Sequence, residues 1–268
     1  MSKGLLDPKV DFVFKNIFGS PNHPEILISF LNATLKAKKK IVNVDIKKTD
    51  IEKQYIEDKY SRLDVKATTS NDEIINIEIQ LKNENNMVKR SLYYLSKMYE
   101  EQLNEKEDYS KLARTVCINI LNFKYLKTDN FHTGYRFKEI ESNEELTDIM
   151  EVHFIEIPKL QDSSDEKDML VAWTEFLKDP ESEKVRGLEL SIEEIRQAKD
   201  ELIRMSNDKK QRELYDMRAN SLRDKISELN AAKREGIEEV ARNMKKNELP
   251  IEMISKLTGL RVDEIDKL

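Results

Sequence analysis

The stretch RLDVKATTSNDEIINIEIQLKN, residues 62–83, decides the fold. Apolar and polar side chains alternate on both sides of a Thr-Ser-Asn-Asp segment, and a period of two is typical of strands with one buried face. The segment between the two runs is rich in residues that favour turns. The stretch therefore predicts a β-hairpin that buries its aliphatic side chains on one face.

The polar face of this hairpin carries two carboxylates. A turn centred on Asn71 predicts that Asp64 lies opposite Glu78, with Gln80 on the same face. Paired residues on neighbouring strands have Cβ atoms about 5 Å apart, so the two carboxylates repel each other unless a cation lies between them. This spacing alone is a weak signal, because charged strand faces often contact only solvent. A divalent cation is the functional interpretation.

The remainder of residues 1–160 predicts a mixed α/β domain. Asp7 and Gly19 are typical of the two ends of a first helix, and Pro24 of the start of a second. Helical or strand-like spacing then predicts the following elements: a helix at 24–36, strands at 41–46, 60–68 and 74–81, a helix at 87–104, and strands at 113–122 and 150–157.

After residue 160 the pattern is helical. We expect a helical extension over 161–207, with a capping box at 191–194, and a long charged helix over 208–248. The tail at 249–268 resembles a helix-turn-helix with its turn at Gly259. Within the long helix a short coiled-coil-like seam is predicted as a homodimer contact, or alternatively as a face that packs on its own domain. The seam consists of Tyr215, Ala219, Leu222, Ile226 and Leu229.

Composition excludes several classes of protein. The net charge of −6 argues against a purely electrostatic DNA binder. Cys117 is the only cysteine, which excludes disulfides and thiolate metal sites, and its apolar surroundings predict a buried, inert thiol. No apolar run approaches the roughly 20 residues of a membrane span, and a signal-peptide core is missing, so we expect a cytoplasmic protein. His23, His132 and His153 show no ligand spacing and predict ordinary surface or packing roles.

The order of these segments resembles the Rpn family of recombination-promoting nucleases, also called putative transposases, within the PD-(D/E)XK nuclease superfamily. The resemblance rests on the stretches DFVFKNIFG (11–19), RLD (62–64), IEIQ (77–80), RSLYYLSKMY (90–99) and TGL (258–260). It implies a restriction-endonuclease-like core, in which a mixed central sheet is flanked by helices. Two residues depart from the superfamily pattern: Leu63 replaces a proline, and Gln80 replaces the usual lysine.

The resemblance also implies site residues. Asp64 and Glu78, with the Ile79 carbonyl, would bind Mg²⁺ or Mn²⁺ through hard oxygen ligands, and Gln80 would orient a water. Asp64, Glu78 and Gln80 are thus the predicted catalytic residues. The residues themselves add the secondary candidates Asp11, Lys15, Arg90 and Tyr94, of which Asp11 and Lys15 alternatively form an ordinary ion pair on a helix surface. Lys38, Lys39 and Lys40 are candidate contacts to double-stranded DNA, or alternatively part of a solvated loop.

These features together predict a metal-dependent DNA endonuclease linked to recombination or mobile elements. A homodimer would supply the two cuts that double-strand cleavage needs. Two other interpretations stay open: a nuclease-fold protein that binds nucleic acid with weak or no cleavage, for which Gln80 is the warning sign, and a helical protein-interaction module.

Overall fold

The computed structural model describes residues 4–36, 39–47, 65–165 and 167–268. Within them, one sheet has the strand order β1-β2-β3-β4-β6-β5. The strands are β1 (Val44–Lys47), β2 (Val65–Thr69), β3 (Ile74–Gln80), β4 (Thr115–Leu121), β5 (His132–Lys138) and β6 (Glu145–Glu156). β1, β2 and β3 pair antiparallel, β3, β4 and β6 pair parallel, and β5 pairs antiparallel at the edge. The sheet is therefore mixed, as the sequence predicts.

Helices cover both faces of the sheet, and further helices follow the last strand in the chain. The first three are α1 (Asp11–Phe18), α2 (Pro24–Leu35) and α3 (Met87–Glu100). Three more follow the last strand: α4 (Met169–Lys178), α5 (Glu183–Ser191) and α6 (Glu193–Asn207). The chain ends with α7 (Lys209–Lys246), α8 (Ile251–Thr258) and α9 (Val262–Asp266). The predicted α/β core with a helical C-terminal region is confirmed.

The predicted hairpin is formed by β2 and β3. Val65 pairs with Ile77 and Ala67 with Ile75 across it. Ile77 and Ile79 are buried in the main hydrophobic cluster, which α1 and α2 cover. Alternation then directs Asn76, Glu78 and Gln80 to the opposite face. That face lies under α3, which contacts β4 and β6.

Helices α4, α5 and α6 belong to the same core as the sheet. Trp173 on α4 is fully buried, and its ring makes edge-to-face contacts with Phe18 and Phe176 at centroid distances of 5.3 and 6.0 Å. Its indole Nε1 donates to the Ser29 hydroxyl at 3.2 Å. Leu202 on α6 is also buried in this cluster. The main hydrophobic core is thus built from α1 and α2, from α4 to α6, and from the sheet.

The chain divides into two compact units, residues 1–215 and 216–268. In the second unit, the end of α7 packs with α8 and α9 around Ala241, Ile254, Leu260 and Ile265. Gly259 ends α8 with a φ of 75°, a conformation that favours glycine, so the predicted turn is confirmed. In the first unit Tyr215 packs on the main core, and its hydroxyl accepts from the Asp7 amide at 3.4 Å. Tyr215 therefore contacts its own chain.

Two predicted helix starts are wrong in position. α1 begins at Asp11, and the Asp7 carboxylate accepts from the Lys9 amide instead of capping the helix. The capping box predicted at Ser191 is not formed, since Ser191 is the last residue of α5 and its hydroxyl donates to Leu188. In both cases the polar side chain bonds to a nearby backbone group other than the predicted helix start.

Two strand predictions also needed correction. β5 was missed, because HTGYRFK is an edge strand with a largely exposed face and a glycine, and it lacks a continuous apolar run. β6 begins at Glu145, five residues before the predicted start at residue 150, because its first half is exposed and polar in sequence. No helix of the described ranges combines the length and apolar character needed to cross a membrane.

Candidate active site

Glu78 is a buried carboxylate on the α3 side of β3. Its side chain is 1% exposed, and neither carboxylate oxygen has a hydrogen-bond partner among the described residues. Burial raises the pKa of the Glu78 carboxyl, and the nearby Arg90 guanidinium and the Asn76 side chain only partly oppose this shift. Burying a carboxylate without hydrogen bonds is unfavourable in free energy, so packing alone does not account for Glu78 at this position.

Arg90 is the cation that faces Glu78. It lies on the first turns of α3, and its Nε is 3.3 Å from Oε2 of Glu78. Its guanidinium also lies 5.4 Å from the ring centroid of Tyr94. The predicted grouping of Arg90 and Tyr94 near Glu78 is therefore observed. Tyr94 is 4% exposed, so its ring supports Arg90 from within the fold.

A layer of buried polar residues surrounds Glu78, and the sequence interpretation missed it. The Asn76 Oδ1 atom has no hydrogen-bond partner in the described part of the chain, whereas Asn119 accepts from Ser91 at 2.9 Å and donates to the His153 carbonyl at 3.1 Å. Cys117 lies between the two asparagines, fully buried, and burial raises the pKa of its thiol to about 12. The predicted burial of this thiol is confirmed. The signal that could have revealed this layer was an asparagine within each of two aliphatic strands.

The other predicted catalytic residues have different positions. Gln80 ends β3 and is partly exposed, on the same side of the strand as Glu78. Ile79 has its side chain in the core on the opposite face. Asp64 lies outside the described residues, immediately before Val65, the first residue of β2.

Within the described ranges, the secondary candidates on α1 form no hydrogen bond or ion pair with Glu78. Asp11 is exposed at the start of α1, and its carboxylate accepts from the Phe12 amide at 2.7 Å. Lys15 lies in the last turn of the same helix and is partly buried. α1 packs on the Ile77 side of the sheet, the face opposite Glu78.

The predicted basic cluster follows α2. Lys38 lies outside the described residues, while Lys39 and Lys40 are exposed. The Lys39 ammonium donates to the Asn71 side chain at 3.0 Å, which connects this segment to the β2–β3 turn. Lys36 ends α2 and pairs with Asp168 at 3.0 Å.

A second polar cluster lies at the β5–β6 edge. His132 Nε2 is 2.9 Å from His153 Nδ1, the rings stack at a centroid distance of 5.2 Å, and His153 Nε2 is 2.6 Å from Glu151. A Cβ at Gly134 would lie 3.0 Å from the His153 ring, so glycine leaves room for it. Pairing of β5 with β6 brings together two histidines that are 21 residues apart in the chain. Their packing role agrees with expectation.

This cluster predicts acid sensitivity. Burial and the neighbouring His153 and Lys36 lower the pKa of His132 to about 4. Asp168 and Glu151 have the opposite, smaller effect and raise this pKa. The unfolded chain takes up this proton near pH 6.5, so stability is expected to fall as the pH decreases from about 6.5 to about 4. We expect wild type to lose about 1–2 kcal/mol more than His132→Gln over this range, as measured by urea unfolding. Equal pH dependence in both proteins would contradict this prediction.

The oxygen atoms around Glu78 suit a hard divalent cation. Three buried oxygens without hydrogen-bond partners, two from Glu78 and one from Asn76, are the type of ligand that Mg²⁺ and Mn²⁺ prefer. No group of three or more His, Cys, Asp or Glu side chains forms a complete metal site within the described ranges. The described residues supply one carboxylate of such a site, that of Glu78. The second predicted carboxylate belongs to Asp64, which lies outside the described ranges.

Comparisons with known proteins identify the family. The sequence model of the PD-(D/E)XK nuclease family transposases matches residues 8–232. No curated protein and no solved structure matches the chain. The match spans the whole sheet and helices α1 to α6, and it includes the hairpin with Glu78 and Gln80. The chain therefore belongs to the PD-(D/E)XK nuclease family transposases.

Proposed function

We propose that the protein is a cytoplasmic, Mg²⁺- or Mn²⁺-dependent endonuclease that cleaves double-stranded DNA in recombination or mobile-element movement. The observation that carries this proposal is Glu78, a buried carboxylate with both oxygens lacking hydrogen bonds among the described residues. A carboxylate in this state is stabilised by a cation, and membership of a nuclease family supports a hydrolytic role for that cation.

In this proposal Asp64 and Glu78 hold the cation, and the Ile79 carbonyl is a further oxygen ligand. Val65, which follows Asp64 in the chain, pairs with Ile77, which precedes Glu78, and this register supports the assignment. A bound divalent cation supplies a water of lowered pKa and neutralises charge on the phosphate.

The remaining candidates have supporting roles. The Gln80 amide orients the water but cannot accept its proton, so it acts as a positioning group. The water would release one proton to solvent as its oxygen forms the new bond to phosphorus, and the leaving oxygen would take up a proton from solvent as its bond to phosphorus breaks. Lys38, Lys39 and Lys40 would contact the DNA backbone, whereas Asp11 and Lys15 receive no role in this proposal, because α1 packs on the opposite face of the sheet.

Incubation of supercoiled plasmid with the purified protein tests this function. We expect nicked and linear products with Mg²⁺ or Mn²⁺, and intact plasmid when a chelator is present. Cleavage that persists in excess chelator would contradict metal dependence.

A second candidate function is DNA binding without cleavage. Gln80 favours it, because a glutamine does not supply the positive charge of the usual lysine. DNA that is shifted in a mobility assay but is not cut with any divalent cation would support this alternative over the endonuclease.

We also propose a homodimer formed through α7. Tyr215 packs on its own chain, so in this proposal the dimer contact is made by Leu222, Ile226 and Leu229, of which Leu229 is 48% exposed. Ile226→Glu is expected to convert a dimer to a monomer in light scattering, because a buried charge opposes association. Met217→Glu, at a 63% exposed position off the seam, is the matched control and should stay dimeric. A monomeric wild type, or dissociation by both substitutions, would show that the interface lies elsewhere.

A further inference from the structure

The Arg90–Glu78 pair differs from the other buried arginine pairs of the described chain. Arg90 Nε is 3.3 Å from Oε2 of Glu78, yet neither Nε nor either carboxylate oxygen completes a hydrogen bond with a described residue. The carboxylate is 1% exposed, whereas the arginine side chain is 18% exposed. The two side chains are therefore close, but their atoms are not oriented to form a hydrogen bond with each other.

Arg114 provides the comparison within the same chain. Its Nη1 donates to Glu73 at 2.9 Å, and its Nη2 donates to Glu151. Glu151 also accepts from Arg136 Nε at 3.0 Å. A buried ion pair with a purely structural role needs such hydrogen bonds, since they offset the loss of hydration. The Arg90–Glu78 pair lacks this compensation.

The surroundings of Arg90 allow its guanidinium to move. The group lies 5.4 Å from the Tyr94 ring centroid, which provides a favourable cation–π contact independent of Glu78. Its partial exposure gives it a route to solvent. Glu78 has no comparable freedom, because it is a strand residue with a fully covered side chain.

We propose that Arg90 is an exchangeable counter-ion that competes with a divalent cation for Glu78 and so lowers the metal affinity of the site. This proposal rests on the proposed function, because it takes Glu78 as a metal ligand. Both cations need the same carboxylate, and a fixed positive charge repels a second one at this distance. Arg90 stabilises Glu78 when metal is scarce and releases it when metal is abundant.

Metal titration of the full-length protein without DNA tests the exchange. In isothermal titration calorimetry we expect Arg90→Gln to bind Mn²⁺ or Ca²⁺ about tenfold more tightly than wild type. The affinity rises because the substitution removes one partly buried charge that competes with the metal. Arg90→Lys keeps the charge and should remain within about threefold of wild type. Lys89→Gln, the adjacent and exposed position, is the matched control for a change in net charge and should also resemble wild type.

The outcomes separate this proposal from the proposed function. Equal or weaker metal binding by Arg90→Gln, with binding by wild type intact, would overturn the exchange and leave the metal site standing. An equal increase in Lys89→Gln would also overturn it, since general electrostatics would then explain the effect. Absence of binding by wild type and every variant would overturn both. If Arg90→Gln fails to fold by circular dichroism, Arg90→Met, which keeps the apolar stem beside Tyr94, replaces it in the same titration.

Discussion

Asp64→Ala or Glu78→Ala is expected to lower the rate of DNA cleavage by about three orders of magnitude or more, because each removes a proposed metal ligand. A thousandfold loss corresponds to about 4 kcal/mol of transition-state stabilisation. Single-turnover cleavage of a labelled duplex at saturating Mg²⁺ measures this loss. Gln80→Ala is expected to cause a smaller loss, of about 10- to 100-fold, since it positions water without binding the cation.

Two controls distinguish a chemical effect from a structural one. Glu78→Gln keeps the size of the side chain and removes a charge whose burial is unfavourable, so this variant should unfold at or above the wild-type temperature. Glu84→Gln removes a carboxylate from an exposed position after β3 and should cleave at the wild-type rate. Cleavage by Asp64→Ala or Glu78→Ala at the wild-type rate would reject the proposed active site.

Trp173→Ala is expected to destabilise the protein by about 3–5 kcal/mol, because it leaves a large cavity beside Phe18 and Phe176 in the main hydrophobic core. This is a large part of the roughly 5–15 kcal/mol that stabilises a typical domain. Trp173 is the only tryptophan, so urea unfolding should be followed by far-UV circular dichroism in both proteins. Loss of the indole donor to Ser29 adds to the effect.

An exposed residue of the same helical region is the control for Trp173. Leu190 on α5 is 88% exposed, and Leu190→Ala should change the stability by no more than about 0.5 kcal/mol. A change below about 1 kcal/mol for Trp173→Ala would show that helices α4 to α6 are not part of the sheet core.

The hairpin at the centre of the fold could be predicted from sequence. Period-two alternation on both sides of a turn specifies strand identity, the buried face and the register, because a shift by one residue would expose every aliphatic side chain. The paired residues Val65 and Ile77, and the buried Ile79, agree with that pattern. The helical character of residues 161–268 was equally accessible, since amphipathic spacing is a local property.

The same local information determined which face of β3 carries Glu78 and Gln80. It indicated a carboxylate that needs a cation, and the resemblance named the chemistry. What the sequence could not supply was the burial of that carboxylate, because burial depends on α3, which follows β3 in the chain and packs on the neighbouring strands β4 and β6.

Contacts between distant residues were decided only by the tertiary structure. The pairing of His132 with His153 depends on β5, an exposed edge strand without a strong sequence pattern. The burial of Trp173 against Phe18 joins residues 155 positions apart. The loose geometry of Arg90 at Glu78 depends on the position of α3 over the sheet. Local sequence patterns specify elements and their faces, whereas the partner of each face is set by the packing of the whole chain.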